Sequence, residues 1–213
     1  MKRRAVLRCA AGGGATLAGC VRRGANRTGE SRSGETNRRT VSLAAVDDSP
    51  PNLDVCIEVT LLEPTVTADR TARIRVETTN EGPRRALSAG EGGCSLFNRD
   101  RGVSVGGGLV LKDPKAAESI DRKGDTWTPD VPADRPRAYA AYGCSPRTYD
   151  EGESVAVEYD VWDDYRSKGY MTPGRYRFET RVSVAEAGSD FGGDALAQFA
   201  WGFELAVGFA EES

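Results

Sequence analysis

From Pro51 onward the apolar residues recur at every second position. In "DVCIEVTLLEP", Val55, Ile57, Val59 and Leu61 fall on one face. "TARIRVETTNEG" sets Ala72, Ile74, Val76 and Thr78 against Arg73, Arg75 and Glu77. "ESVAVEYDVWDD" sets Val155, Val157, Tyr159 and Val161 against Ala156, Glu158 and Asp160. "GRYRFETRVSV" alternates Tyr176, Phe178, Thr180, Val182 and Val184 with Arg175, Arg177, Glu179, Arg181 and Ser183. The last stretch, "QFAWGFELAVGFA", aligns Phe199, Trp201, Phe203, Leu205, Val207 and Phe209. One apolar and one polar face marks a half-buried antiparallel strand. Shorter candidates lie at 84–90, 108–113 and 137–143, and "DPKAAESID" at 113–121 allows one helical turn. Many short strands parted by Gly, Pro, Asp and Asn predict an all-β immunoglobulin-like antiparallel sandwich of seven to eight strands over residues 51–213. A body of this size buries near 70% of its unfolded surface and is able to fold alone.

The first fifty residues follow another rule. Lys2, Arg3, Arg4 and Arg8 precede a weakly apolar run from Ala10 to Gly19, the layout of a secretory signal that is too short to span a bilayer about 30 Å thick. Arg3-Arg4 with Val6-Leu7 resembles a twin-arginine export signal, with Lys2 where that motif often has Ser or Thr. Leu17-Ala18-Gly19-Cys20 resembles a lipobox. This predicts a signal peptide at 1–19 and a Cys20 that becomes the lipidated N-terminus, bound to membrane lipid on the extracellular face of the cytoplasmic membrane. Residues 20–50 are rich in Gly, Ser, Thr, Asn and Arg, and are expected to form a flexible tether. Asn26-Arg27-Thr28 is a weak glycosylation sequon within it.

Charge sharpens the picture. The 213-residue chain carries a formal −3, but the signal and residues 21–46 each hold +4, leaving −11 for residues 47–213. Arg outnumbers Lys by 24 to five. An acidic, Arg-favouring body resembles proteins of salt-loving archaea, whose self-repulsion molar salt screens. It lacks the basic face that nucleic-acid binding requires. There is no histidine, which excludes Ser-His-Asp and Cys-His catalysis and every histidine-ligated metal or haem site. No cofactor is expected, and the chain is not expected to be an enzyme.

Five cysteines are present, three of them beyond the tether. Cys94 in "GGCS" and Cys144 in "YGCSP" share a loop-like context, and a Cys94–Cys144 disulfide is expected in an oxidising compartment. Cys56 then remains as a small half-buried thiol. Carboxylates gather at Asp121, Asp125 and Asp130 around Trp127, at Asp190 and Asp194, and at Asp160, Asp163 and Asp164. Calcium wants six to eight oxygens from such loops. Asp163 and Asp164 are the weak metal candidates, though none of these groups matches a defined calcium loop. Trp127, Tyr139, Tyr142, Tyr165 and Tyr170 lie in irregular stretches, where they either plug the ends of the sandwich or offer contact aromatics.

Three motifs add a resemblance. A strand ending in Asn80-Glu81-Gly82, a Gly152-Glu153 before a strand that ends in Trp162, and the strand start Pro173-Gly174-Arg175-Tyr176 resemble the BsuPI-type proteinase inhibitor domain and related immunoglobulin-like modules. Tyr176 also resembles a tyrosine corner, whose hydroxyl bonds back to nearby backbone. With the signal and the C-terminal "WGFEL", the layout resembles uncharacterised haloarchaeal lipoproteins. The resemblance implies the fold, and it brings in a proteinase-inhibitor-like role as one expectation. The leading expectation is a membrane-anchored binding or adaptor module for a surface protein or polymer. A structural envelope role is the other.

Overall fold

The computed structural model describes residues 37–90, 94–99, 102–137, 146–189 and 195–210. They form two antiparallel sheets. The six-stranded sheet contains β1 (Arg39–Val46), β3 (Thr65–Val66), β5 (Arg85–Leu87), β7 (Arg147–Tyr149), β9 (Gly174–Glu186) and β10 (Ala197–Phe209), in the order β3-β1-β10-β9-β5-β7. The four-stranded sheet contains β2 (Val55–Glu63), β4 (Arg73–Asn80), β6 (Leu109–Lys112) and β8 (Ser154–Asp163), in the order β2-β4-β8-β6. Two short helices, α1 (Leu96–Arg99) and α2 (Pro114–Ala117), lie in the connections. The all-β sandwich predicted by the alternating pattern is therefore present, with ten strands among the described residues.

The five strong alternations became β2, β4, β8, β9 and β10, and their apolar faces meet between the sheets. Ile74, Tyr159, Phe178, Trp201, Phe203 and Leu205 are at most 2% exposed. The core is closed by α1. Phe97 lies with its ring centroid 5.2–6.4 Å from those of Tyr159, Phe178, Trp201 and Phe203, mostly edge-on. Burial of such a ring contributes about 2–3 kcal/mol, and each well-placed aromatic pair about 1 kcal/mol more.

One boundary moves. The tether expected over 20–50 does not extend that far, because Arg39–Val46 is β1 and pairs with β10 from Arg39↔Phe209 to Val46↔Phe203. "RTVSLAAV" offers only Val41 and Leu43 to the core, a weak alternation. Its place comes from β10, an apolar strand with a side left to pair once β9 holds the other. Residues 138–145, which include most of the strand expected at 137–143, lie outside the described residues, as do Tyr139 and Tyr142.

The three resemblance motifs each act as a structural tie. Asn80 is fully buried. Its side-chain amide donates to the carbonyls of Gly82, Pro83 and Asp150 at 3.0–3.1 Å, and its oxygen accepts from the Gly82 N–H at 3.3 Å. Its backbone N–H donates to the Glu153 carbonyl at 3.0 Å, and its carbonyl accepts from the Gly152 N–H at 2.7 Å. One residue thus ties the β4–β5 turn to the β7–β8 turn. Tyr176 forms the expected corner: its hydroxyl donates to the Thr172 carbonyl. Its ring covers Gly108, where φ is +103° and an added Cβ would lie 2.3 Å from the ring. The triple glycine at 106–108 thus serves a left-handed turn beneath this tyrosine.

Replacing Asn80 with Ala leaves several buried carbonyls without a donor. Denaturant unfolding of Asn80→Ala is expected to show a loss of about 3 kcal/mol. A loss below about 1 kcal/mol would mean that this residue does not hold the two turns.

Candidate functional site

The carboxylates singled out in the sequence come together at the end of the sandwich where β8 gives way to the 164–173 loop. Asp160, Asp163 and Asp164 are 6%, 4% and 1% exposed. Asp163 ends β8 and Asp164 opens the loop, and the two take different partners. Asp163 accepts the Met171 N–H on Oδ1 at 2.8 Å and the Thr128 hydroxyl on Oδ2 at 2.9 Å. Asp164 accepts on Oδ2 from the Arg137 guanidinium, the Ser167 hydroxyl at 3.3 Å and the Gly108 N–H at 3.4 Å. Its Oδ1 accepts the Arg166 N–H at 3.3 Å. Asp160 receives the Arg73 Nε–H at 2.8 Å.

These donors correct the metal expectation. Calcium needs many oxygens converging on one point. Here the oxygens of Asp163 and Asp164 are already engaged by separate sets of protein donors. Among the described residues, no group of three or more Cys, Asp or Glu side chains is placed to hold a metal. Asp190 and Asp194 lie outside the described residues.

The same end is sealed by aromatics. Trp162, 1% exposed, packs edge-on to Trp127 at 5.3 Å. The Trp127 indole N–H donates to the Thr67 carbonyl at 2.7 Å, and its backbone N–H donates to the Tyr170 hydroxyl at 3.2 Å. The Arg122 guanidinium lies over the Trp127 ring at 4.2 Å. Arg39, 7% exposed, donates to the carbonyls of Met171 and Tyr170 at 3.0 Å and lies over the rings of Tyr170 and Phe209. Met171 is fully buried with φ of +37°, a strained conformation for a long side chain. Arg39 on its carbonyl and Asp163 on its N–H hold it there. Trp127 and Tyr170 are therefore plugs, and the Tyr165 hydroxyl donates to the Arg135 carbonyl. Sequence reasoning missed Arg39, Thr128, Arg137 and Met171. Only the left-over buried charge of Asp163 and Asp164, which demands donors from elsewhere in the chain, could have pointed to them.

The electrostatics follow from burial and partners. Burial pushes the Asp163 carboxyl above the ordinary aspartate range, against its hydrogen bonds from Met171 and Thr128. Burial also acts on Asp164, but the Arg137 hydrogen bond and the N–H groups of Arg166 and Gly108 together hold it below that range. Burial, with Arg137 nearby, lowers the Lys112 ammonium. Burial raises Tyr159, in the core, to about 12.

The cysteines also depart from expectation. Cys94 is a half-buried free thiol, so it does not make the Cys94–Cys144 bridge. It directly precedes Ser95, Leu96 and Phe97, all buried, so its position is set by delivering α1 to the core. Cys56, 9% exposed, is disulfide-bonded and is not the spare thiol that was expected. Its partner lies outside the described residues, as do Cys144, Cys20 and the sequon at Asn26. Between the sheets, a recess lined by Val76, Thr78, Gly90, Tyr149 and Tyr159 has a volume of about 10 Å³, room for one water.

No family model, curated protein or solved structure matches the chain at a significant level.

The two carboxylates have opposite linkage. Asp163 titrates higher folded than unfolded, so its proton binds the folded state preferentially. Its contribution rises as pH falls through the folded value and is complete below the unfolded one. Asp164 titrates lower folded than unfolded, so its contribution is present above the unfolded value and lost as pH falls through the folded one. Urea unfolding between pH 7 and pH 3 is expected to separate them. Asp163→Asn removes a component that gains stability toward acid. Asp164→Asn lowers stability at pH 7 by about 3 kcal/mol and flattens the acid loss. Identical pH profiles for the two variants would contradict this assignment.

Proposed function

We propose that the protein is a lipoprotein exported by a twin-arginine signal and anchored through acyl chains on Cys20 to the extracellular face of the cytoplasmic membrane. There its β-sandwich acts as a binding or adaptor module for another surface protein or a polymer. The observation that carries this reading is the sequence Leu17-Ala18-Gly19-Cys20, preceded by a basic, weakly apolar leader and followed by eighteen residues before β1. Two acyl chains suffice for stable anchoring. No helix among the described residues is long and apolar enough to cross a membrane. Flexible spacers of about eighteen residues in general have a root-mean-square span of about 24 Å, enough to lift a domain clear of the headgroups.

The binding half of the reading is supported by how the described residues are used. The buried carboxylates bond to internal donors, and Trp127 and Tyr170 close the sandwich end. The recess between the sheets has room for about one water. Recognition by such a body falls to its outer faces, edges and loops.

Two measurements test the two halves. Cys20→Ser is expected to shift the protein from the membrane to the soluble fraction, with loss of incorporated lipid label. Retention in the membrane would remove the anchor. Crosslinking the intact protein in its own membranes at high salt, then purifying it, is expected to recover one abundant specific partner. A protease in that position would point to inhibition. Recovery of the protein alone would leave an envelope role.

A further inference from the structure

β2 is a nine-residue strand at the edge of the four-stranded sheet, with β4 on one side and no described strand on the other. Which backbone groups face outward follows from the neighbouring ladder. The Asn80 N–H donates to Glu153 and its carbonyl accepts from Gly152, so Asn80 faces β8. Residues alternate sides along a strand, so Thr79, Glu77 and Arg75 face β2. Their partners Cys56, Glu58 and Thr60 face back. The N–H and C=O groups of Val55, Ile57, Val59 and Leu61 therefore point to the open edge. None of the hydrogen bonds outside the ladders involves them.

Val55, Cys56 and Ile57 are buried, but from Glu58 onward the side chains along this edge are incomplete too. Val59 and Leu61 face the core but are only partly buried, and Leu62 is 39% exposed. Glu58 is exposed and lies beside Glu77, whose own partner is Arg75 at 2.9 Å. The only irregularity of β2 against β4 falls between Leu61 and Glu63, which leaves Val55–Leu61 regular.

We propose that this edge pairs with the same edge of a second copy of the chain, antiparallel, with Val59 opposite Val59. That register sets the outward-facing groups of Val59 against each other and those of Ile57 against Leu61, so every bond of an antiparallel ladder is available. It places Glu58 opposite Thr60 of the second copy, with that copy's Arg75 one strand further in the same row. It also covers Val59 and Leu61 with apolar neighbours. The register one step away, centred on Glu58, would set two glutamates in the close, non-bonded position about 4.5 Å apart between Cα atoms. The register centred on Thr60 would set Glu58 against Leu62, in the irregular part of the strand. The contact is isologous and self-limiting, and joins two four-stranded sheets into one of eight. It rests on the sheet edge alone and does not depend on the membrane anchor.

Sedimentation of the intact chain in density-matched detergent tests it. The chain is expected to be a dimer. Val59→Pro removes only an N–H that faces the open edge, a place where proline is tolerated, and is expected to give a folded monomer. Thr60→Glu creates two symmetry-related like-charge contacts with Glu58 and is expected to weaken the dimer on the order of tenfold. Glu58→Lys added to Thr60→Glu is expected to restore it. A monomer at about 0.1 mM, far above the dissociation constant of a specific interface, would overturn the proposal. So would a dimer indifferent to both Val59→Pro and Thr60→Glu. If Val59→Pro does not fold, Thr60→Glu and its rescue decide. A monomer that instead takes up an extended peptide along this edge would assign the edge to another chain and overturn self-pairing.

Discussion

The sandwich depends on one aromatic contact more than on any other. Phe97 comes from a four-residue helix in a connection, yet its ring touches side chains from β8, β9 and β10. Two sheets packed face to face need side chains to fill the space between them at crystal-like density. β-strands alone supply that filling only where both inner faces are apolar. Here the inner face of β9 carries Thr180 opposite Trp201, and Thr180 is satisfied by donating to the Leu96 carbonyl at 3.2 Å. The α1 segment therefore does two jobs at one place. It fills the core with Phe97 and accepts a buried hydroxyl through Leu96.

At the far end of β8 the same economy applies to charge. A body carrying −11 over residues 47–213 has carboxylates to spare, and three of them, Asp160, Asp163 and Asp164, are buried. A buried carboxylate is tolerated only with donors at hand. Asp163 and Asp164 recruit theirs from two segments: Thr128 and Arg137 from the long connection after α2, and Met171 and Ser167 from the adjoining β8–β9 loop. The acidic pair therefore fixes the course of two irregular segments that have few ladder bonds of their own. Arg39 completes the set from β1, bonding to the Tyr170 and Met171 carbonyls. Charges that looked like a metal site in the sequence are the means by which long loops acquire one conformation.

How far the sequence could be read depended on whether the information was local. Period-two alternation is local, and β2, β4, β8, β9 and β10 were legible from it. So was the Tyr176 corner, because Pro173-Gly174 sets the turn and the hydroxyl reaches only four residues back. β1 was not legible. Two apolar residues in eight are a weak signal, and its pairing is decided by a strand more than 150 residues later. The cysteines fail for the same reason. Gly before and Ser after Cys94 and Cys144 describe two loops, not a distance between them. The carboxylate ends of the site were visible as residues, but the donors that define their role come from elements no local pattern connects.

What is spent inside also leaves few aromatic and buried charged groups uncommitted at the sandwich end. The aromatics that surface loops commonly use for contacts are, in Trp127 and Tyr170, committed to the sandwich end, and the buried carboxylates bond to their own chain. The outer face of β9 carries Arg175 and Arg177 paired with Glu204 and Asp47, pairs that contribute little to stability when exposed. β2 stands apart from this saturation. Its outward N–H and C=O groups, the half-covered Val59 and Leu61, and a Glu58 beside another glutamate form a contiguous strip in which backbone, apolar and charged groups are all left incomplete. An edge of that kind is a liability for any sheet protein unless it is blocked or used. The one irregularity in β2 comes too late along the strand to block the edge.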